Sequence, residues 1–360
     1  MEQPGIGRLV VEDVKRGQHG RAFRRDLRDI YRFYLSEEER ERLAQMRPLK
    51  RWIWILWWLV RNLLRRLSPN RRLLLVVAFL IYLIRPVWID EKIKIDLDLS
   101  RLAFPIVLLV LALELKDKLL ARDEIEVARQ VQISLLPKSQ PTLPGWELAS
   151  ATIPANDVGG DLIDYLDGAS GRLGVALGDV AGKGMGAALL CAKLQATLRA
   201  LAPQAPSLES LGAALNGVLE RSGLDNRYAT LFYAEIEAGS GELRYLNAGH
   251  NPALHVKDGG IDTLSASSLP LGMLPGTAYG QGAAILAPGD VVVLYSDGIT
   301  EATDARGLEF GLERLQACVR DAAGLPPGDI VRRVLDDVSL FLDHEKPHDD
   351  QSLLVLRRTA

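Results

Sequence analysis

The sequence predicts an α+β chain, in which an all-helical N-terminal region precedes a larger domain of antiparallel sheets with helices outside. Two observations carry this. Three apolar blocks, Trp52–Val60, Leu73–Ile84 and Leu102–Leu113, follow one another among arginines before residue 116. After Pro137 the texture changes to alternating strands and turns, with the turn Ala238-Gly239-Ser240-Gly241 joining two strand-like runs. Hairpins of consecutive strands favour antiparallel sheets over a doubly wound parallel sheet.

A length of 360 residues is a soft prior for two domains, or one domain with accessory segments. With 48% hydrophobic and 25% charged residues, the chain is not disordered throughout. A net charge of -3 excludes a general nucleic-acid binder, so no nucleic-acid partner is expected. The two cysteines, Cys191 and Cys318, have no Cys-x-x-Cys spacing. That excludes a disulfide scaffold and thiolate zinc sites, and fits a reducing compartment. The first 20 residues are polar, so no signal peptide is expected.

Residues 1–50 read as short cytosolic helices. Phe23, Leu27, Ile30, Tyr31 and Tyr34 share a helical face in Arg21–Tyr34. Ser36 with Glu39 forms a capping box that starts a second helix, and Pro48 is expected to end it. Residues 51–115 read as membrane-associated. Trp52–Val60 is too short to span and, with its tryptophans and nearby arginines, looks interfacial. Leu73–Ile89 and Leu99–Leu115 are just long enough for a transmembrane hairpin if Arg85 and Arg101 snorkel, with Asp90–Ser100 as a polar loop. Arg61, Arg65, Arg66, Arg71 and Arg72 before the first span, and Lys116, Lys118 and Arg122 after the second, would place both ends in the cytoplasm. The expected location is therefore the bacterial inner membrane with the catalytic domain in the cytoplasm; a buried helical bundle is the alternative. Residues 116–137 read as a charged linker helix, in which Leu113, Leu120 and Val127 recur every seven residues as a faint coiled-coil signal and a candidate homodimer contact.

In the remaining domain, 138–360, Trp146–Ile153, Leu173–Gly178, Tyr228–Glu237, Leu243–Asn247, Val291–Tyr295 and Ser352–Leu356 read as strands. Met185–Leu201, Leu208–Arg221, Leu312–Ala322 and Asp329–Leu342 read as helices. Acidic residues recur at strand ends beside glycine: Asp161 after Gly159-Gly160, Asp179 after Gly178, Asp297 before Gly298, and Asp349-Asp350 before the last strand. One Asp-Gly is usually a turn; their recurrence in one domain suggests convergence, since glycine lets backbone and hydrated ions approach closely. Several converging carboxylates cannot all stay ionised without a cation. Oxygen-only ligands suit Mg²⁺ or Mn²⁺ rather than Zn²⁺. Two such ions about 3.5–4 Å apart would bridge a water and lower its pKa to make a nucleophile.

The segments ARQVQISLLP (128–137), PANDVGGD (154–161), GDVAGKG (178–184), NAGH (247–250), LYSDGITEA (294–302) and DDQSLLV (349–355) occur in this order. Together they resemble the SpoIIE-like branch of the metal-dependent, protein phosphatase 2C-like serine/threonine phosphatases, over about two thirds of the chain. The resemblance implies a β-sandwich flanked by helices, and hydrolysis of phosphoserine or phosphothreonine on a protein. It also implies that Asp179 bridges two ions, that the Val180 carbonyl sits on one of them, and that Asp297 and Asp349 hold the other. Asp161 would act on the first ion through water, and Asp350 is the weaker ligand of its pair. The implied partner is a phosphorylated regulatory protein of the anti-anti-sigma (STAS) type. Residues 1–115 fall outside the resemblance.

Other motifs have competing readings. Gly182-Lys183-Gly184-Met185-Gly186-Ala187 matches a dinucleotide loop formally, but Asp179 just upstream would repel the phosphates. Lys183 either counters the carboxylates, meets substrate phosphate, or is simply exposed. Asn247 and His250 either touch substrate, orient a loop, or fix their own turn. His344 and His348 are interrupted by Pro347 and do not read as a zinc pair. A catalytically silent binding module of the same fold is the second functional class.

Overall fold

The computed structural model describes residues 35–44, 46–83, 88–90, 93–94, 100–137, 139–168, 171–221, 228–265, 268–343 and 346–360. The helix expected over Arg21–Tyr34 and the side chain of His344 lie outside these. The chain divides into two compact units, Met1–Leu119 and Leu120–Ala360.

In the first unit, α1 (Glu37–Ala44) starts at the expected capping box. The Ser36 amide donates to Glu39 Oε2 at 3.1 Å and the Glu39 amide donates to Ser36 Oγ at 3.3 Å. Pro48 does not stop this helix; it opens α2 (Pro48–Arg66), where proline's missing N–H needs no partner. Trp58 of α2 packs on Leu35 and Leu43. Next come α3 (Pro69–Leu83), a two-stranded ladder of β1 (Trp88–Asp90) and β2 (Ile93–Lys94), and α4 (Ser100–Leu135).

These helices correct the membrane reading. Among the described residues no helix is long and apolar enough to cross a membrane. Helix α3 has 15 residues, about 22 Å at 1.5 Å per residue, against a hydrocarbon layer of about 30 Å. In α4 the apolar run after Arg101 is closed by Glu114, Lys116 and Asp117. Arg71 of α3 donates to Glu114 Oε1 at 2.6 Å and to Asp117 Oδ2 at 2.5 Å. Arg71, expected to flank the first span, is thus paired with two acids of α4. The hairpin 73–89/99–115 and the inner-membrane location fall with this, Trp52–Val60 lies within α2, whose Trp58 is buried, and β1–β2 makes the region other than all-helical.

The second unit is a sandwich of two five-stranded antiparallel sheets. One runs β10 (Gly282–Ile285), β7 (Glu242–Ala248), β6 (Ala229–Ile236), β5 (Leu173–Val180), β4 (Asp161–Asp167). The other runs β3 (Trp146–Ile153), β12 (Gln351–Arg358), β11 (Val291–Tyr295), β8 (Ala253–Lys257), β9 (Gly260–Leu264). Helices α5 (Met185–Leu201) and α6 (Leu208–Glu220) cover the first sheet; α8 (Gly311–Ala322) and α9 (Pro327–Phe341) cover the second. The one-turn helix α7 (Asp297–Thr300) follows β11.

Central strands are apolar on both faces because each face has its own core. On β11, Val292 and Leu294 enter the inter-sheet core, while Val291, Val293 and Tyr295 face α8 and α9. On β6, Phe232, Ala234 and Ile236 face inward, while Leu231 and Tyr233 face α5 and α6. The strands therefore read as continuous apolar runs rather than alternating ones.

Candidate metal centre

Toward one end of the inter-sheet gap the inward-facing column turns polar. Strand alternation puts Asp161 beyond Ile163 on β4, Asp179 beyond Leu177 on β5, Thr152 beyond Leu148 on β3, and Ser352 beyond Leu354 on β12. Ser296 continues β11 past Leu294 in the same sense. Asp161 and Asp179 are register partners, so their side chains leave neighbouring strands on one face.

The loops closing this end carry the other acids. Asp297 begins α7, and a Cβ on Gly298 would lie 2.1 Å from the Asp350 carbonyl oxygen, so only glycine allows that approach. Buried Asp350 accepts the Ala155 amide at 2.8 Å and the Gly160 amide at 2.7 Å, one on each carboxylate oxygen. It therefore clamps the 154–160 loop in front of Asp161. A Cβ on Gly159 would stand 2.5 Å from Asp350 Oδ2, which is why this loop needs its double glycine. A Cβ on Gly160 would stand 3.1 Å from the Val180 carbonyl oxygen, so glycine keeps the space beside that oxygen clear.

Asp349 is half exposed and pairs with Lys183, Nζ to Oδ2 at 2.9 Å; the same Nζ donates to the His348 carbonyl at 3.0 Å. That contact pushes the Lys183 pKa up. Asp161 is deeply buried and its Oδ2 has no hydrogen-bond partner. Burial, then the charges of Asp179 and Asp350, hold its pKa well above the usual carboxylate range, against a smaller pull from nearby Ser352 and Ser296. Asp179 is pushed up to about 7 by burial and by Asp297, Asp349 and Asp350. Asp297 is raised by burial and by Asp349. The acids thus gather at one end of the gap, although among the described residues no three acidic, histidine or cysteine side chains already close on a single point. All the donors are oxygen, and one buried carboxylate oxygen is orphaned. Such a set fits a hard divalent cation.

A model of the family described as "Stage II sporulation protein E (SpoIIE)" matches residues 169–359, more than half of the chain. The chain belongs to the SpoIIE family. It is 30% identical over 241 residues to the phosphoserine phosphatase RsbU of Bacillus subtilis, covering 66% of this chain and 70% of RsbU. Among solved structures, the RsbU and RsbW domains of a Mycobacterium tuberculosis protein superpose with a TM-score of 0.54 at 28% identity, covering 63% of each chain. The SiaA-PP2C domain of Pseudomonas aeruginosa gives a TM-score of 0.58 at 21% identity, over 67% of this chain and 98% of that domain. The sandwich is therefore the protein phosphatase 2C-type fold, and the SpoIIE-family chain is a phosphatase.

Asn247 and His250 are buried in the SpoIIE-family domain rather than set on an open surface. The His250 amide donates to Asn247 Oδ1 at 2.9 Å, and both side chains are buried. Burial pushes the His250 pKa down to about 4. Its Nδ1 meets Thr230 Oγ1 at 2.8 Å, and Thr230 is the register partner of Asp179. Sequence reasoning missed Thr230, which looks like any strand threonine. It also left Gln132 without a role inside the 128–137 segment. Gln132 Nε2 donates to the Gly159 carbonyl at 2.7 Å, and its Oε1 accepts the Gly159 amide at 3.0 Å. The segment's position before the first glycine pair was the available signal.

The raised carboxyl pKa values set a pH dependence. With no cation, folded Asp161, Asp179 and Asp297 hold protons at pH values where the unfolded chain has released them, so stability falls as pH rises through their folded pKa values. His250 acts the other way, but only below its ordinary value of 6.5. In chelator, the melting temperature of the second unit should therefore be lower at pH 8.5 than at pH 6.5, and added Mn²⁺ or Mg²⁺ should restore it at pH 8.5. Thermal unfolding followed by circular dichroism checks this; a flat profile that metal does not move contradicts it.

Proposed function

We propose that this chain hydrolyses phosphoserine or phosphothreonine on a regulatory protein, with two Mn²⁺ or Mg²⁺ ions held by Asp161, Asp179, Asp297, Asp349 and the Val180 carbonyl. The observation that carries this is the orphaned Oδ2 of buried Asp161 beside Asp179, whose own pKa is lifted to about 7 by burial and its acidic neighbours. Bound there, the ions would supply an activated water for in-line attack on phosphorus.

The chain's own groups then have distinct tasks. Asp179 feels the charges of Asp297 and Asp349 on one side and faces Asp161 on the other, which suits it to bridge two ions. Asp350 has both oxygens engaged by backbone amides, so it positions the loop and is the weakest ligand of the group. Lys183 balances Asp349 in the free protein and stands ready to meet a substrate phosphate once cations take over that role. The similarity to the phosphoserine phosphatase RsbU supports phosphoserine as the group hydrolysed, and the family resemblance implies a regulatory phosphoprotein of the anti-anti-sigma (STAS) type as its carrier. A catalytically silent reading has no observation in its favour, because every acidic position is occupied by aspartate.

Asp179→Asn should reduce metal-dependent turnover of p-nitrophenyl phosphate at least ~1,000-fold while leaving the circular dichroism spectrum unchanged, and excess chelator should silence the native protein. Undiminished activity in Asp179→Asn would sink the two-ion assignment.

The linker, read as 116–137, is continuous with α4, which runs to Leu135 and leaves Leu120 and Val127 exposed at a seven-residue spacing. That spacing supports a homodimer contact through the linker. Val127→Pro would break the helix at a cost of about 3 kcal/mol or more. Sedimentation should then show a dimer for the native chain and a monomer for the variant; identical states in both would leave the linker as a tether.

A further inference from the structure

One segment beside the carboxylate cleft is built to hold apolar side chains outward. At its near end, three extended segments lie side by side. Val180 is the register partner of Ala229, and the Ala181 amide donates to the Tyr228 carbonyl at 2.9 Å. Ala229 in turn exchanges two backbone hydrogen bonds with Leu271, at 2.9 and 2.7 Å. With neighbouring strands about 4.8 Å apart, the Leu271 backbone lies about 10 Å from that of Val180.

Beyond Leu271 the chain makes a tight turn whose side chains are left in water. Met273 is 40% and Leu274 52% exposed, and Leu269 and Tyr228 are also exposed. The backbone beneath them is fixed. Asn216 of α6, only 2% exposed, accepts the Gly272 amide on Oδ1 at 2.7 Å and donates from Nδ2 to the Leu274 carbonyl at 3.0 Å. The Tyr279 hydroxyl donates to the same Oδ1 at 3.1 Å, and the Thr277 hydroxyl donates to the Leu274 carbonyl at 2.9 Å. A buried amide is thus committed to gripping the turn on both sides of Met273. These bonds fix the backbone of the turn and leave the Met273 and Leu274 side chains outward.

We propose that Met273 and Leu274, with Tyr228 on the side toward Ala181, form a specificity ledge that receives apolar residues of the protein substrate about three or four positions from its phosphorylated serine. This deepens, and rests on, the phosphatase reading above. The spacing follows from the geometry: an extended peptide advances about 3.3 Å per residue, so about three residues cover the roughly 10 Å between the Val180 and Leu271 backbones, and a fourth reaches past Leu271. Continuity with the cleft identifies the occupant, since a phosphoserine seated at the carboxylates must lead its flanking chain across the surrounding surface. Methionine's flexible side chain also suits a surface that accepts more than one apolar shape.

The test uses the full chain with Mn²⁺ and three substrates. One is p-nitrophenyl phosphate, which is too small to reach the ledge. The others are phosphoserine peptides that carry either Leu or Asp at the third and fourth positions on both sides of the phosphoserine. The native chain should show kcat/KM about 10-fold or more higher on the Leu peptide, the scale of one apolar contact. The double variant Met273→Glu/Leu274→Glu should lose that preference through KM, keep p-nitrophenyl phosphate turnover within about twofold, and keep its melting temperature. Met273→Leu should retain the preference. Equal rates on the two peptides in the native chain would overturn the ledge. So would a parallel loss of p-nitrophenyl phosphate turnover in the double variant, or a changed oligomeric state with peptide rates intact, which would mark a contact between copies. If the native chain turns over none of the three, the phosphatase reading fails separately. The ledge is then judged by anisotropy of the labelled peptides, where tighter binding of the Leu peptide, lost in the double variant, supports it and equal binding refutes it.

Discussion

Four elements of the sandwich deliver carboxylates into a space where they cannot all stay ionised. Asp161 and Asp179 come from adjacent strands of one sheet, and Asp297 and Asp349 from the loops that close the other. Burial raises the proton affinity of Asp161, Asp179 and Asp297, and neighbouring acids add to it, so the metal-free centre relieves its charge by holding protons. Much of the local architecture serves to hold this unfavourable cluster in place. Gly298 lets α7 approach the Asp350 backbone, Gly159 makes room for the Asp350 carboxylate, and the Ser296 hydroxyl donates to the Asp350 carbonyl and accepts the Ser352 amide behind the acids. A divalent cation replaces the protons and turns a destabilising cluster into a binding site, the physical content of the proposed function.

The same cluster is tied to the C-terminal part of α4. Gln132 holds both polar groups of Gly159, the next residue's amide is held by Asp350, and Asp161 follows directly. One turn further on, the Leu135 carbonyl receives Gln195 Nε2 at 2.8 Å and Arg199 Nη2 at 3.2 Å. Arg199 is itself fixed by two hydrogen bonds, at 2.7 and 2.8 Å, to the fully buried carboxylate of Asp164, on the strand that begins with Asp161. Both ends of β4's acidic stretch are thereby braced against the helix, through hydrogen bonds to charged or buried groups that are costly to leave unmade.

Much of this was legible in the sequence where local rules suffice. The strands Trp146–Ile153 and Val291–Tyr295 and the helix Met185–Leu201 have the expected bounds. So does the idea of aspartates at strand ends, because glycine and a preceding apolar run are local signals. Strand β4 was not legible. Its sequence, DLIDYLD, carries an acid at every third position, and only Arg199, 35 residues after Asp164, explains how one of them is buried. The apolar blocks of the first unit misled for a related reason: their flanking charges looked solvated, and the pairing of Arg71 with Glu114 and Asp117 spans more than forty residues. Edge strands β9 and β10 were missed because half-exposed segments carry little period-two contrast, and the buried inner strand β8 because its five residues, ALHVK, are too few to show a pattern. The ledge at Met273 and Leu274 was silent too, since exposure of an apolar side chain cannot be read from its neighbours in sequence.

Electron paramagnetic resonance of the Mn²⁺-loaded chain tests the central claim most directly, because it reads the distance between ions rather than turnover. If Asp179 bridges two ions about 3.5–4 Å apart, the spectrum at saturation should be that of an exchange-coupled pair, with two Mn²⁺ bound per chain. An uncoupled spectrum from a single bound ion, or no binding at these aspartates, would contradict the account.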